Sequence, residues 1–238
     1  MVLFEKSGEL GGKLHEISRL SFKIDMCSHL KWLIDSTKSC GADVRLNTEA
    51  TVENVMAEQP DAIFVATGSD RLTLNILGID GSNVYHVLDV DAGKVKVGNS
   101  VVICGGGLSG MECALGLAIE GKQVTVVDMI PADRFAMDAP PPVRLMLLPL
   151  LEKYDVKYVG DSKVLAFSEE GVEVEDRSWR HRILKADSIV TAFGMKRDDE
   201  LYLRFRELLP EVYAVGDCGA VGNIMNANQT AFHCAVEC

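Results

Sequence analysis

The residues best suited to chemistry lie in one stretch, Val101-Val102-Ile103-Cys104-Gly105-Gly106-Gly107-Leu108-Ser109-Gly110-Met111-Glu112. Four apolar or small residues run straight into G-x-G-x-x-G, and Met111 to Ile119 is apolar at helical spacing. Gly105 permits the tight turn, Gly107 lets the backbone approach a pyrophosphate, and Gly110 lets helix and strand pack closely. The helix opening at Leu108 and Ser109 would present N–H groups and the positive end of its dipole to the phosphates. About 20 residues later the run Gln123-Val124-Thr125-Val126-Val127 ends in Asp128, a carboxylate suited to accept from a ribose hydroxyl. That acid fits a free 2′-hydroxyl and repels a 2′-phosphate. Met129, Ile130 and Pro131 follow it and the first cation is Arg134, so NADH is expected over NADPH.

Three further stretches bring chemistry to strand ends. Val2-Leu3-Phe4 runs into Glu5 as Val124 to Val127 runs into Asp128, the pattern of a second strand in a nucleotide-binding unit. Asp61-Ala62-Ile63-Phe64-Val65-Ala66-Thr67-Gly68 and Asp187-Ser188-Ile189-Val190-Thr191-Ala192-Phe193-Gly194 are apolar strands that close on small residues, and their likeness is the nearest thing to an internal repeat. Glu211 to Gly216 delivers Asp217 to a strand end, where it serves either a ligand or the cap of a turn. Residues for catalysis or for a metal do not stand out. Cys234 and Cys238 lie one helical turn apart, but no other ligands cluster near them.

The elements that must hold these residues follow from periodicity. Leu30, Trp32, Leu33 and Ile34 give a core-facing stripe to a helix over Met26 to Cys40, preceded by a connection from Leu14 to Ile24 and followed by a short strand at Val44-Arg45-Leu46. Residues 70–99, rich in turn signals, read as a crossover between domains. Val143 to Leu151 fits a helix whose first turn tolerates the prolines before it. Short strands follow at 157–159, 163–168 and 171–175, and the final helix is expected from about Asn228 to Cys238.

Composition narrows the class. The 238 residues are 47% hydrophobic, enough for a full core, and the net charge of −11 argues against nucleic-acid and anionic-membrane surfaces. The basic run Arg177 to Arg182 reads as a solvated hairpin edge. No apolar run approaches the roughly 18 residues that span a bilayer, so a cytoplasmic protein is expected. Seven cysteines without a C-x-x-C pair argue against a disulfide framework and a dithiol redox motif. Cys104 and Cys113, on the strand and helix beside the glycine turn, read as packing.

In order, Glu5-Lys6-Ser7-Gly8 with Gly11-Gly12, Ala66-Thr67-Gly68, Gly105 to Ala114 and Tyr213-Ala214-Val215-Gly216-Asp217-Cys218 resemble the flavoprotein reductases with two dinucleotide domains. More narrowly, nearly the whole chain resembles the C-terminal reductase region of the NADH:flavin oxidoreductases, the group of 2-enoate reductase, 2,4-dienoyl-CoA reductase and trimethylamine dehydrogenase. The resemblance implies an α/β fold of two Rossmann-like domains, with an NAD domain at 95–195 inserted in an FAD domain formed by 1–94 and 196–238. The first strand and glycine turn of that FAD domain are missing, so a piece of a longer polypeptide or a subunit of a split enzyme is expected.

The resemblance further implies that Glu5 holds the adenosine ribose of FAD, Gly12 lies near its pyrophosphate, and Asp217 bonds the ribitol. It sets Asn228 or Gln229 at a helix start facing the flavin ring, and has Glu112 orient the nicotinamide. Ala66-Thr67-Gly68, Gly194 and Gly216 join them as turns close to a cofactor. The implied partner is a barrel domain or subunit carrying FMN and an iron–sulfur cluster, which would reduce the substrate. FAD binding is conditional on the missing loop, and ADP is an alternative occupant. The activity implied is passage of hydride from NADH to flavin; the alternative from a different class is a nucleotide-binding module without turnover.

Overall fold

The computed structural model describes residues 1–238, whose contacts fall into two units. In chain order the first half holds strand β1 (Val2–Phe4), helix α1 (Leu14–Ile17), a 3-10 turn (Ser21–Lys23), α2 (Ile24–Ser39), β2 (Asp43–Arg45), α3 (Val52–Met56), β3 (Ile63–Val65), β4 (Ser69–Arg71), β5 (Val84–His86) and α4 (Val87–Asp91). Next come β6 (Ser100–Cys104), α5 (Leu108–Ile119), β7 (Gln123–Val127), α6 (Pro141–Lys153), β8 (Lys157–Val159), β9 (Ser162–Ser168), β10 (Gly171–Asp176) and β11 (His181–Lys185). The chain closes with β12 (Ser188–Thr191), β13 (Met195–Arg197), α7 (Glu200–Arg206), β14 (Val212–Ala214), a 3-10 turn (Gly216–Cys218) and α8 (Ile224–Glu237).

The unit containing the glycine stretch comprises Gly11–Asp35 and Thr73–Gly194. Its five-stranded parallel sheet runs β5-β12-β6-β7-β8. The chain winds outward from β6 through β7 to β8, then returns to pair β12 on the other side of β6. Strand order thus reverses at β6, and such a point opens a crevice at the carboxyl ends of the strands. Val101 to Cys104 are all buried, as a central parallel strand requires. The antiparallel meander β9-β10-β11 covers one face of the sheet: Phe167, Val172, Val174 and Ala186 form one core with Val102, Cys104, Val127 and Ile189. Helix α5 is buried at Gly110, Met111 and Cys113 to Ala118, so it presents almost no solvated face.

The second unit comprises Met1–Leu10, Ser36–Leu72 and Met195–Cys238. It holds three two-stranded ladders: β1 with β2 in parallel, β3 with β14 in parallel, and β4 with β13 antiparallel. Its core gathers Val55, Ile63, Val65, Phe205, Val212 and Cys218. Strands β1 and β3 each have one hydrogen-bonded neighbour, so each presents an open edge within this unit.

Three differences from the sequence reading have physical causes. Residues 70–99 are more than a crossover, because β5 pairs in register with β12 and α4 follows it directly. The contacts also draw residues 11–35 and 73–94 toward the glycine stretch, unlike the expected 1–94 segment. Leu20 packs against α5 at Gly116, where a Cβ would come 2.8 Å from its Cδ2. Helix α8 starts four residues before Asn228, because Asn223 and Asn226 form a reciprocal capping box. No helix is long and apolar enough to cross a membrane.

Candidate functional site

The turn after β6 has the geometry its glycines require. Gly105 has φ +128°, and a Cβ on it would lie 2.2 Å from the Ala192 carbonyl oxygen. A Cβ on Gly110 would lie 2.1 Å from the Gly105 carbonyl oxygen, so the helix can approach the strand only as glycine. Gly107 is the N-cap of α5, with an ordinary φ of −73° and no side-chain cap of its own. A cleft of about 450 Å³ opens here, lined by Leu74, Gly105 to Gly107, Asp128, Ile130, Arg134, Met137, Asp138 and Ala192 to Gly194. Of the residues expected to hold a nicotinamide nucleotide, Gly105, Gly107, Asp128 and Gly194 line this cleft. Leu108, Ser109 and Gly110 form the first turn of α5 beside it.

Two carboxylates shape the cleft. Asp128 accepts from Gly106 N at 2.6 Å through Oδ2 and from Ile130 N at 3.2 Å through Oδ1, so it fixes the glycine turn while still facing the cavity. Each oxygen retains a lone pair for a further donor. Asp138 was not singled out by sequence, yet both of its oxygens accept from Leu108 N, at 2.9 and 3.0 Å. It covers an N–H of the first helical turn, where intrahelical partners are missing. The signal was its position just before Pro140-Pro141-Pro142, where the chain must turn into α6.

Glu112 lies farther along α5 and accepts from Lys23 Nζ at 2.6 Å. Both side chains are mostly buried, with 15% and 19% of their surface exposed, so this pair is screened less than a surface ion pair. Sequence alone places Lys23 in the connection from Leu14 to Ile24 and gives it no role. Next to Glu112, the Cys113 thiol bonds the Asp91 carboxylate of α4. Burial is the main cause that pushes Asp91 up to about 6, and it likewise raises Cys113 well above the ordinary thiol range. Burial also holds Cys104 far above that range, so neither thiol beside the glycine turn is poised as a nucleophile.

The residues expected at a flavin divide between the units. In the second unit, Asp217 accepts from Ser69 Oγ at 2.8 Å and from Gly222 N at 3.0 Å, so its two oxygens tie the start of β4 to the segment before α8. Gly216 has φ +61° and donates its N–H to Thr230 Oγ1 at 2.9 Å, tying the 3-10 turn to α8. Thr67 donates to the Asp198 carbonyl at 2.6 Å and Gly68 O accepts from Asp198 N, which pins the Ala66-Thr67-Gly68 turn beside β13. Pairing of β3 with β14 brings that turn and Gly216-Asp217 to the same strand ends.

Glu5 accepts from Ser7 N at 2.7 Å and so closes its own turn. Gly12, at φ +49° with open space where a Cβ would stand, belongs to the unit of the glycine cradle. Asn228 and Gln229 do not open a helix as expected. The first-turn N–H groups of α8 are those of Ile224, Met225 and Asn226, which leaves Asn228 and Gln229 in the second turn.

A match to the model of the pyridine nucleotide-disulphide oxidoreductases extends over residues 15–233. The chain belongs to that family. It is 36% identical to the cinnamate reductase of Clostridium sporogenes over 239 residues, covering 99% of this chain and 35% of that protein. It is 30% identical to the NADH oxidase of Thermoanaerobacter brockii over 240 residues, covering 99% of this chain and 37% of that protein. The structure of a 2-naphthoyl-CoA reductase complex superposes with a TM-score of 0.89 at 29% identity, covering all of this chain and 36% of that one. The chain therefore spans about a third of the length of these relatives. It has the fold of two-dinucleotide-domain flavoproteins and is an oxidoreductase module of a family that binds FAD and NAD(H).

Proposed function

We propose that this chain is the electron-input module of a longer flavoenzyme, taking hydride from NADH to FAD for onward transfer to an FMN and iron–sulfur barrel that reduces an enoate- or dienoyl-CoA-like substrate. The observation that carries this reading is the cleft at the strand-order reversal, where the helix N-terminus, Gly105 to Gly107 and Asp128 converge. The name and extent of the cinnamate reductase and NADH oxidase relatives agree with it.

In this account the unit of residues 11–35 and 73–194 holds the nicotinamide nucleotide, and the unit of residues 1–10, 36–72 and 195–238 holds the flavin. The first turn of α5 and Gly107 receive the pyrophosphate, and Asp128 receives the adenosine ribose. Glu112, held by Lys23, orients the nicotinamide. When bound, the nicotinamide and flavin supply the redox chemistry, and the chain supplies position and electrostatics. Asp128 is fixed by two backbone donors, so a 2′-phosphate would meet a carboxylate that cannot turn away. Asp128→Ser should therefore reduce the preference for NADH over NADPH by about tenfold, an order set by loss of one charge repulsion. An unchanged ratio of the two dissociation constants would count against that role.

On the flavin side, Asp217 with Ser69, the Ala66-Thr67-Gly68 turn, Gly216 and Glu5 would line the isoalloxazine-to-adenosine path. Asn228 and Gln229 would act from the second turn of α8. The open edges of β1 and β3 favour one competing reading, a nucleotide-binding module that holds NAD or ADP without turnover by itself. A thermal-shift titration distinguishes them: stabilisation by both NADH and FAD supports the input module, and stabilisation by NADH alone supports binding without chemistry.

A further inference from the structure

Around the neutral Cys113 thiol, Asp91, Glu112 and Lys23 form a cluster whose charge is not balanced. Asp91 ends α4, and its carboxylate takes the Cys113 thiol proton as a hydrogen bond. Its Oδ1 is buried with no hydrogen-bond partner. Cys113 adjoins Glu112 on α5, and Glu112 is already paired with Lys23 at 2.6 Å. One cation thus faces two carboxylates in a region largely shielded from water. A carboxylate with an oxygen left unpaired in such surroundings is costly when ionised and comfortable when protonated.

We propose that Asp91 is a positioning residue that sets the charge behind the nicotinamide side of the cleft, so that the site favours oxidised over reduced nicotinamide increasingly as pH rises. This inference rests on the reading of the cleft as the NADH site with Glu112 at the nicotinamide. With Asp91 protonated, Lys23 and Glu112 cancel and the cluster is neutral. With Asp91 ionised, it carries one net negative charge. The nicotinamide ring of NAD+ is cationic and that of NADH is neutral, so the extra charge attracts only the oxidised form.

Burial raises Asp91 from 3.8 to about 6, with Glu112 raising it further and Lys23 and the Cys113 thiol opposing. The change is therefore expected near pH 6, and Cys113 stays protonated throughout. Other charged or titratable groups lie on the elements packed around α4, among them Tyr85 of β5 and Glu120 at the end of α5, whose charge also acts on Cys113. Glu16 of α1 pairs with Lys94, which also approaches Asp89 at 4.0 Å. His86 caps α4 by accepting from Leu88 N through Nδ1, and His15 lies on α1.

The test measures NADH dissociation constants from its fluorescence, and NAD+ constants by displacement of NADH, from pH 5 to 8 at fixed ionic strength. In the natural chain the preference for NAD+ should rise about fivefold across pH 6, the order for one unit charge in a partly hydrated site. In Asp91→Asn the preference should stay flat. In Cys113→Ala, which removes a donor that favours the ionised form, the midpoint should move to higher pH. A flat ratio in the natural chain, or an unchanged rise in Asp91→Asn, overturns the inference while leaving the NADH site intact. Failure of either nucleotide to bind overturns both.

Discussion

At the scale of single residues, the glycine turn separates packing from binding. Gly110→Ala would force a Cβ against the Gly105 carbonyl oxygen, and neither atom belongs to a flexible side chain. It should lower stability by about 3 kcal/mol, read as a lower urea midpoint. Gly107→Ala meets only the Asp138 carboxylate, at 3.2 Å, and its φ suits any residue. It should leave the urea midpoint nearly unchanged and weaken NADH binding at least about tenfold, since a methyl group would stand where the pyrophosphate approaches. Equal losses of stability in both variants would show that Gly107 serves packing alone.

Asp91 makes a second prediction at this scale. Its folded-state pKa of about 6 lies above the ordinary 3.8. Between those values the folded chain keeps a proton that the unfolded chain has released, so this carboxyl costs stability as pH rises from about 4 to 6. Asp91→Asn cannot ionise, and relative to the natural chain it should gain about 2 kcal/mol between pH 4 and pH 7, allowing for partial exposure. The check is the difference in unfolding free energy across that range. A constant difference would mean that burial does not perturb this group.

At the scale of elements, β6, α5 and β7 were legible because a buried run, a glycine turn and an acid-ended run each leave a local trace in the sequence. The same held for β9 and β10, whose short apolar strands were read in the correct places. Helix α7 and the membership of β5 in the large sheet were not legible. Val84-Tyr85-His86 is only three residues long, and its strand character comes from pairing with β12, over a hundred positions away. The expected start near Asn228 differs from the observed one at Ile224 because the Asn223 and Asn226 side chains cap the helix reciprocally. Asn223→Ala should cost about 1 kcal/mol and increase amide exchange over residues 224–227. Unchanged exchange there would contradict the capping role.

The chemistry of the site was legible where it lies on one element and obscure where elements meet. Asp128 could be read from its strand, whereas Lys23, Asp91 and Asp138 acquire meaning only through Glu112, Cys113 and Leu108. Asp217 shows the limit from the other side: its position was clear in sequence, but its bonds to Ser69 and Gly222 come from the fold.

At the scale of the whole molecule, the chain is an oxidoreductase module spanning about a third of its relatives, with a glycine-lined cleft in one unit and a second unit whose strands present open edges. NADH at one hundred times its dissociation constant should stabilise the cradle by about 2.7 kcal/mol. The central claim is that nucleotide bound there reduces a flavin. Its most direct test is the absorbance of the chain reconstituted with FAD and mixed anaerobically with NADH. The account predicts bleaching of the flavin band, slowed at least about tenfold by Gly107→Ala at limiting NADH. A flavin that binds stably and keeps its oxidised spectrum under saturating NADH would contradict it.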